Sequence, residues 1–295
     1  QAANATSLAA VGGALWMSTW GQGLWSRTGP AEPWVSTSAT ILPRDYAFTV
    51  AVDPSDSQKI VLGSAGDIWM TTDGGSTFST VETGVNAFRF AFDPSSAGSI
   101  YAATQTDGML KSSDGGASWS PINNGLPPPW LSGACTCQDV RDVAVDPMTG
   151  AAIIGTAGMG VFRTTDGGGS WQPITQFTQQ SVGCMTFSGV DLWACVGGSG
   201  IWASQDGGIS FTPVTQGDPE LSNISGNGVD STSGDVFATS DHGLFTSNDA
   251  GATWAGLDNA CLPTTHLIQP RIITTGDQRL LVGATTGAGV FALSL

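Results

Sequence analysis

One phrase returns at nearly even intervals and constrains the fold more than any other feature of the chain. It reads Thr71-Thr72-Asp73-Gly74-Gly75-Ser76-Thr77-Phe78, and it recurs at Ser112 to Trp119, Thr164 to Trp171, Ser204 to Phe211 and Ser247 to Trp254. Its aspartates stand at 73, 114, 166, 206 and 249, so successive copies lie 41, 52, 40 and 43 residues apart. An eroded copy, Arg27 to Trp34, keeps the aromatic but has Gly29 in place of the aspartate. Ahead of each phrase stands a strand-like unit: Gly23-Leu24-Trp25, Asp67-Ile68-Trp69, Gly108-Met109-Leu110, Gly160-Val161-Phe162, Gly200-Ile201-Trp202 and Gly243-Leu244-Phe245. A further unit, Gly289-Val290-Phe291, ends the series. Seven units in 295 residues give about 42 residues each, the length of a four-stranded propeller blade.

Composition agrees. Glycine is 41 of 295 and charged residues only 11%, and both disfavour helices. The reading is an all-β, seven-bladed β-propeller filling residues 1–295 as one domain. In each unit the innermost strand comes first, as in Val50-Ala51-Val52, Phe90-Ala91-Phe92 and Val143-Ala144-Val145. Asp-Pro turns follow at Asp53, Asp93 and Asp146. The last unit stops at Leu295 after its third strand, so the segment before Leu8 is expected to close it and remove a sheet edge.

The phrase resembles the Asp-box, or BNR repeat, of sialidases, sortilin-type receptors, xyloglucan-hydrolysing enzymes and photosystem assembly factors. That resemblance puts the hairpin between the third and fourth strands, on the face opposite the usual active site. The aspartate then accepts backbone N–H bonds across a tight turn, glycine supplies positive φ and the aromatic packs on a neighbour. These aspartates are therefore structural rather than catalytic. The family says little about function, and no sialidase-type arginine triad has a matched spacing here.

Chemistry is expected on the opposite face, in the loops that enter each first strand and join the second to the third. Those loops carry Arg44, Asp45, Tyr46, Arg89, Asp139, Arg141, Asp142, His266 and Arg271, together with Trp20, Asp241 and His242. The candidate catalytic groups are Asp45, Asp139, Asp142, Asp241 and His242, since paired carboxylates do glycosidic acid–base work. The candidate binding groups are Trp20, Arg44, Tyr46, Arg89, Trp130, Arg141, His266 and Arg271. Trp20 and Trp130 are the two tryptophans without a structural place in the blade pattern, and both suit stacking on sugar rings. In a lyase version, arginine would neutralise a uronate carboxylate, with Tyr46 or His242 moving the proton. The same arginines and aspartates are equally suited to pair with one another and staple adjacent blades.

Cys184 and Cys195 flank a hairpin and are expected to form a cross-strand disulfide. Cys135, Cys137 and Cys261 are the remaining thiols. A disulfide tying down the long 123–142 insertion suits Cys135 or Cys137, with Cys261 a possible partner. Cys-x-Cys without nearby histidine has poor zinc spacing. No cofactor or metal is expected, calcium in the Asp-rich turns being optional. Net charge is −15 with no basic cluster, which argues against nucleic acid and anionic membrane partners. Sequons at Asn4 and Asn223, low lysine and the cysteines favour a secreted, glycosylated protein. A monomer is expected. The candidate loops differ in every blade, whereas a multivalent lectin would repeat its site. One composite site in a polysaccharide-degrading hydrolase or uronate lyase therefore ranks first. A glycan-binding lectin and a protein-interaction scaffold are the alternatives.

Overall fold

The computed structural model describes residues 4–11, 13–29, 32–37, 46–127, 139–215, 220–221, 224–232, 235–240, 242–257, 267–275, 278–285 and 289–294. The described residues are all β apart from a three-residue 3₁₀ turn at Thr175–Phe177. The first sheet is β1 (Asn4–Val11), β2 (Ala14–Trp20), β3 (Gly23–Arg27) and β4 (Val35–Ser36). The second is β5 (Ala47–Asp53), β6 (Asp56–Ser64), β7 (Asp67–Thr71) and β8 (Ser79–Thr83). The third is β9 (Ala87–Phe92), β10 (Ile100–Thr104), β11 (Met109–Ser112) and β12 (Ser120–Pro121). The fourth is β13 (Val140–Val145), β14 (Ala152–Thr156), β15 (Val161–Thr164) and β16 (Gln172–Ile174). The fifth is β17 (Val182–Ser188), β18 (Asp191–Val196), β19 (Gly200–Ser204) and β20 (Thr212–Pro213). The sixth is β21 (Ile224–Thr232), β22 (Asp235–Ser240), β23 (Gly243–Ser247) and β24 (Ala255–Gly256). The last is β25 (Leu267–Thr275), β26 (Gln278–Thr285) and β27 (Gly289–Ser294). Every sheet is an antiparallel meander in sequence order, and the sheets are arranged as a β-propeller.

The expectation was seven blades; the described residues form six complete four-stranded blades and a three-stranded last sheet. Residues 4–11 form the innermost strand of the first sheet, running from Asn4 opposite Trp20 to Val11 opposite Ala14. The first and last sheets meet by side-chain packing, with Ala5, Leu8, Leu15 and Met17 against Val282 and Leu280.

Apolar burial is divided into seven layers, one between each pair of neighbouring sheets. Second strands are therefore covered on both faces. Ile60, Val61 and Leu62 are all fully buried, as are Tyr101, Ala102 and Ala103. This explains their continuous apolar sequence where a half-exposed strand would alternate. Backbones also approach closely. A Cβ on Gly155 would lie 2.7 Å from the Val182 carbonyl of the next blade.

The recurring phrase forms the turn between third and fourth strands, and its hydrogen bonds are the same in all five copies. Asp73 Oδ1 accepts from the Thr71 hydroxyl at 2.6 Å and the Thr77 N–H at 2.9 Å, and Oδ2 accepts from the Thr77 hydroxyl at 2.6 Å. Asp114, Asp166, Asp206 and Asp249 repeat this set. The Thr71 hydroxyl in turn accepts the Gly75 N–H at 3.1 Å. The second glycine of each turn sits against another blade: a Cβ on Gly75 would lie 2.7 Å from Trp16, and one on Gly251 would lie 3.0 Å from Trp193. Trp171, which ends the third intact copy, is buried and donates its indole N–H to the Ile122 carbonyl of the preceding blade at 2.6 Å. Scarce cations join the same contacts. Lys111 and Arg163 donate to the carbonyls of Gly167 and Gly207, each the first glycine of the next blade's turn.

A buried ion pair supplies a second link. Arg89 of β9 donates through Nε to Asp142 of β13 at 2.8 Å. Asp142 also accepts the N–H of Val143 and that of Met185 in the following blade. Three consecutive inner strands thus share one carboxylate that is 1% exposed.

Three outcomes follow from these contacts. Asp142→Ala strands the Arg89 charge in the interior and is expected to cost about 3–5 kcal/mol in chemical denaturation. Ala250 holds φ +57° at the position where the other four turns have glycine. Left-handed backbone costs an L-residue about 1–2 kcal/mol, partly offset by glycine's greater unfolded freedom. Ala250→Gly should therefore raise the melting temperature, and a fall would refute this account of the turn. The third outcome concerns acid. Hydrogen bonds hold Asp73, Asp114, Asp166 and Asp249 down at about 2, led by a hydroxyl of Thr71, Ser118, Thr164 and Thr253 respectively. At Asp206 burial pushes upward, but bonds from Ser210 and Ser204 outweigh it and leave it at about 2. Because the folded values lie below the ordinary 3.8, this stability is complete above that value and is lost as pH falls toward 2. Asp166→Asn should accordingly lose less of its urea midpoint between pH 5 and pH 2.5 than the parent protein does.

Candidate functional site

The antiparallel register between first and second strands is interrupted near the start of every inner strand. It skips Thr6 in β1, Phe48 in β5, Phe88 in β9, Arg141 in β13 and Gly183 in β17, and it shifts again in β21 and β25. A β-bulge leaves one residue unpaired and re-aims it. Here the five bulged residues from Thr6 to Gly183 all line a single cavity of about 470 Å³ at one mouth of the channel, with Trp20, Ser181, Cys195 and Ile224 among its other walls.

Aromatic side chains run in a row along one side of this mouth. Tyr46 meets Trp20 edge-on at 5.1 Å between ring centroids, Trp20 lies 5.3 Å from Phe48, and Phe48 lies 6.4 Å from Phe88. Trp20 is 53% exposed and Tyr46 44%, an unusual exposure for such large rings. The Arg141 guanidinium continues the row, 5.4 Å from the Phe88 ring centroid. It also donates through Nη2 to Asp139 Oδ2 at 2.8 Å. Asp139 is buried, and its Oδ1 has no partner among the described residues. Burial pushes the Asp139 carboxyl above its ordinary value, and the opposing pull of Arg141 does not cancel it.

Four expected site residues, Trp20, Tyr46, Asp139 and Arg141, therefore come together. Arg89 and Asp142 do not join them. Their committed, buried pair lines a separate cavity of about 430 Å³ whose walls include Val11, Val52, Phe92, Val145 and Phe187. The pair was expected among the binding and catalytic groups; here Asp142 accepts from Arg89, Val143 and Met185, the stapling arrangement that the same residue types also allow. His242 is exposed in the turn between β22 and β23, its N–H on Ser240 Oγ at 3.1 Å, and it does not line the mouth. Arg271 lies on β25 opposite Val282, directly after the register shift. Arg44, Asp45, Trp130, Asp241 and His266 lie outside the described residues, as do Asn223, Cys135, Cys137 and Cys261. Asn4 is exposed at the start of β1.

Cys184 and Cys195 stand directly opposite one another and are disulfide-bonded, with Cα atoms 5.0 Å apart. Among the described residues no three His, Cys, Asp or Glu side chains group as metal ligands, and no helix is long and apolar enough to cross a membrane. Sequence reasoning missed Phe48, Phe88, Thr6 and Gly183. A signal existed for the two phenylalanines. Phe48, Phe88 and Arg141 each stand five residues before the aspartate of an Asp-Pro turn, at Asp53, Asp93 and Asp146. Counting back from those turns finds the equivalent position in three blades.

No protein-family model matches the chain, and no curated protein matches it. Solved structures do. A GH74 xyloglucanase from Xanthomonas campestris superposes with a TM-score of 0.77 at 17% identity, over 99% of this chain and 52% of that one. A GH74 enzyme from Niastella koreensis gives 0.75 at 16%, over 99% and 52%. YCF48 bound to a D1 peptide gives 0.68 at 17%, over 99% and 93%. The chain thus spans about half the length of the two GH74 structures and nearly the whole of YCF48. At these identities the likeness establishes the β-propeller fold.

Proposed function

We propose that this chain is a secreted carbohydrate-active propeller with one composite site, the channel mouth walled by Trp20, Phe48, Phe88 and Arg141, with Tyr46 packed against Trp20. The observation that carries the reading is the exposed aromatic row beside a charged pair. Aromatic faces stack on the apolar faces of sugar rings while nearby polar groups fix orientation. The GH74 neighbours add support of the fold-level kind, and the five Asp-centred turns support placing the chain with Asp-box propellers. The disulfide supports export. If the protein cleaves its glycan, Asp139 is the proposed acid, because burial raises its carboxyl above the ordinary value and a raised carboxyl is better suited to proton donation. Glycosidic hydrolysis needs a second carboxylate, and Asp45 and Asp241 are the proposed sources. The full-length match to a peptide-bound propeller favours a second reading, a peptide-binding scaffold using the same mouth.

Incubation with a polysaccharide panel, xyloglucan included, tests this by release of reducing ends and by calorimetric binding. Trp20→Ala should weaken glycan binding by about tenfold, in line with an aromatic contact of about 0.5–1.5 kcal/mol. Asp139→Asn should retain binding and lose turnover by at least about a hundredfold. Binding without turnover would make the protein a lectin. No binding to any glycan would leave the peptide reading in its place.

A further inference from the structure

The mouth is lopsided, and the bulged residues make it so. Going round the channel, Thr6, Phe48 and Phe88 are followed by Arg141 and then by Gly183, which brings no side chain. A Cβ placed on Gly183 would meet no atom within 4 Å. Free volume therefore lies beside Arg141, on the adjacent blade and away from the aromatic row. Arg141 has its side chain 44% exposed and uses one nitrogen for Asp139 and one face for Phe88. Its Nε and Nη1 have no partner among the described residues. Nη2 carries a second N–H, and paired with the N–H of Nε or Nη1 on the same edge it offers two parallel donors to a planar carboxylate. A dianionic group would suit it less, with Asp139 at 2.8 Å. The net charge of −15 repels anions only weakly at this point. Salt screens charges beyond about 8 Å at physiological ionic strength, so local groups decide.

We infer that the bulged residues are the specificity element of the mouth, and that Arg141 and Gly183 form a subsite for a sugar ring bearing a carboxylate. A uronate ring fits the space over Gly183 with its carboxylate on Arg141 and its chain neighbours along Phe88, Phe48 and Trp20. This rests on the glycan reading above and narrows it from glycans in general to uronate-containing ones.

The test uses two probes of equal length, an oligogalacturonate and a neutral cello-oligosaccharide, titrated into the full chain by calorimetry. The uronate probe is expected to bind at least about tenfold more tightly. Arg141→Gln should cost the uronate probe about tenfold more than it costs the neutral one, and Arg141→Lys, which keeps the charge but loses the fork, should fall between. Gly183→Trp should weaken the uronate probe by filling its space. A melting curve for each variant separates lost binding from lost fold, and the native protein's preference stands as a test even if a variant fails to fold. Equal affinity for both probes, or equal losses in Arg141→Gln, overturns the inference and leaves the glycan reading standing. Binding of neither probe overturns the inference, as does capture of a peptide by its terminal carboxylate where sugars fail, and the polysaccharide panel decides the wider glycan reading separately.

Discussion

A sheet of four short strands buries too little on its own to be stable, so this protein depends on what joins one sheet to the next. The recurring joint is a turn in which one carboxylate accepts two hydroxyls and a backbone N–H. That arrangement tightens the turn until its second glycine can press on the next wall of side chains, Trp16 for Gly75 and Trp193 for Gly251. Aspartate is needed for its two acceptor oxygens at short reach, and glycine for its left-handed backbone and missing Cβ. The charge-poor composition then has a local explanation. Lys111 and Arg163 are spent on carbonyls of the next turn, and Arg89 on Asp142.

That economy shapes the functional mouth. Arg89, Lys111 and Arg163 are committed to joints, whereas Arg141 is a half-exposed cation at the channel rim. Its position comes from a bulge, and so do those of Phe48 and Phe88. The blade pattern thus does two separate jobs. Turns at one end of the blades hold the ring together and repeat closely. Bulges at the other end each release one residue into a shared space, and those residues, Thr6, Phe48, Phe88, Arg141 and Gly183, are of four types in five positions. Repetition at one end and divergence at the other is what a single composite site on a repeated scaffold requires.

The second cavity, walled by Val11, Val52, Phe92, Val145 and Phe187, is a different environment. Its charged side chains are the Arg89–Asp142 pair, already joined to one another within the protein. The pair links the third, fourth and fifth blades and fits the stapling role that an arginine and an aspartate on neighbouring inner strands can also play.

Much of the fold was legible in the sequence because its causes are local. The Asp-Gly-Gly turns, the Asp-Pro turns after inner strands and the Cys184–Cys195 pairing each depend on residues within about a dozen positions, and each took the expected place. The three-stranded last sheet was not legible, because the strand count of a sheet is fixed by which segments pack together and not by a local motif. The site divided along the same line. Trp20, Tyr46, Asp139 and Arg141 were visible as chemistry-bearing residues in the expected loops, yet nothing in their spacing distinguished them from Arg89 and Asp142. Arg141 and Asp142 are sequence neighbours, and a bulge sends one to the solvent-filled mouth and the other to a buried ion pair. The sequence by itself determined the repeat, the turn chemistry and which residues could act. Tertiary structure decided which of them face the channel, because register and inter-blade packing are long-range contacts that no local spacing encodes.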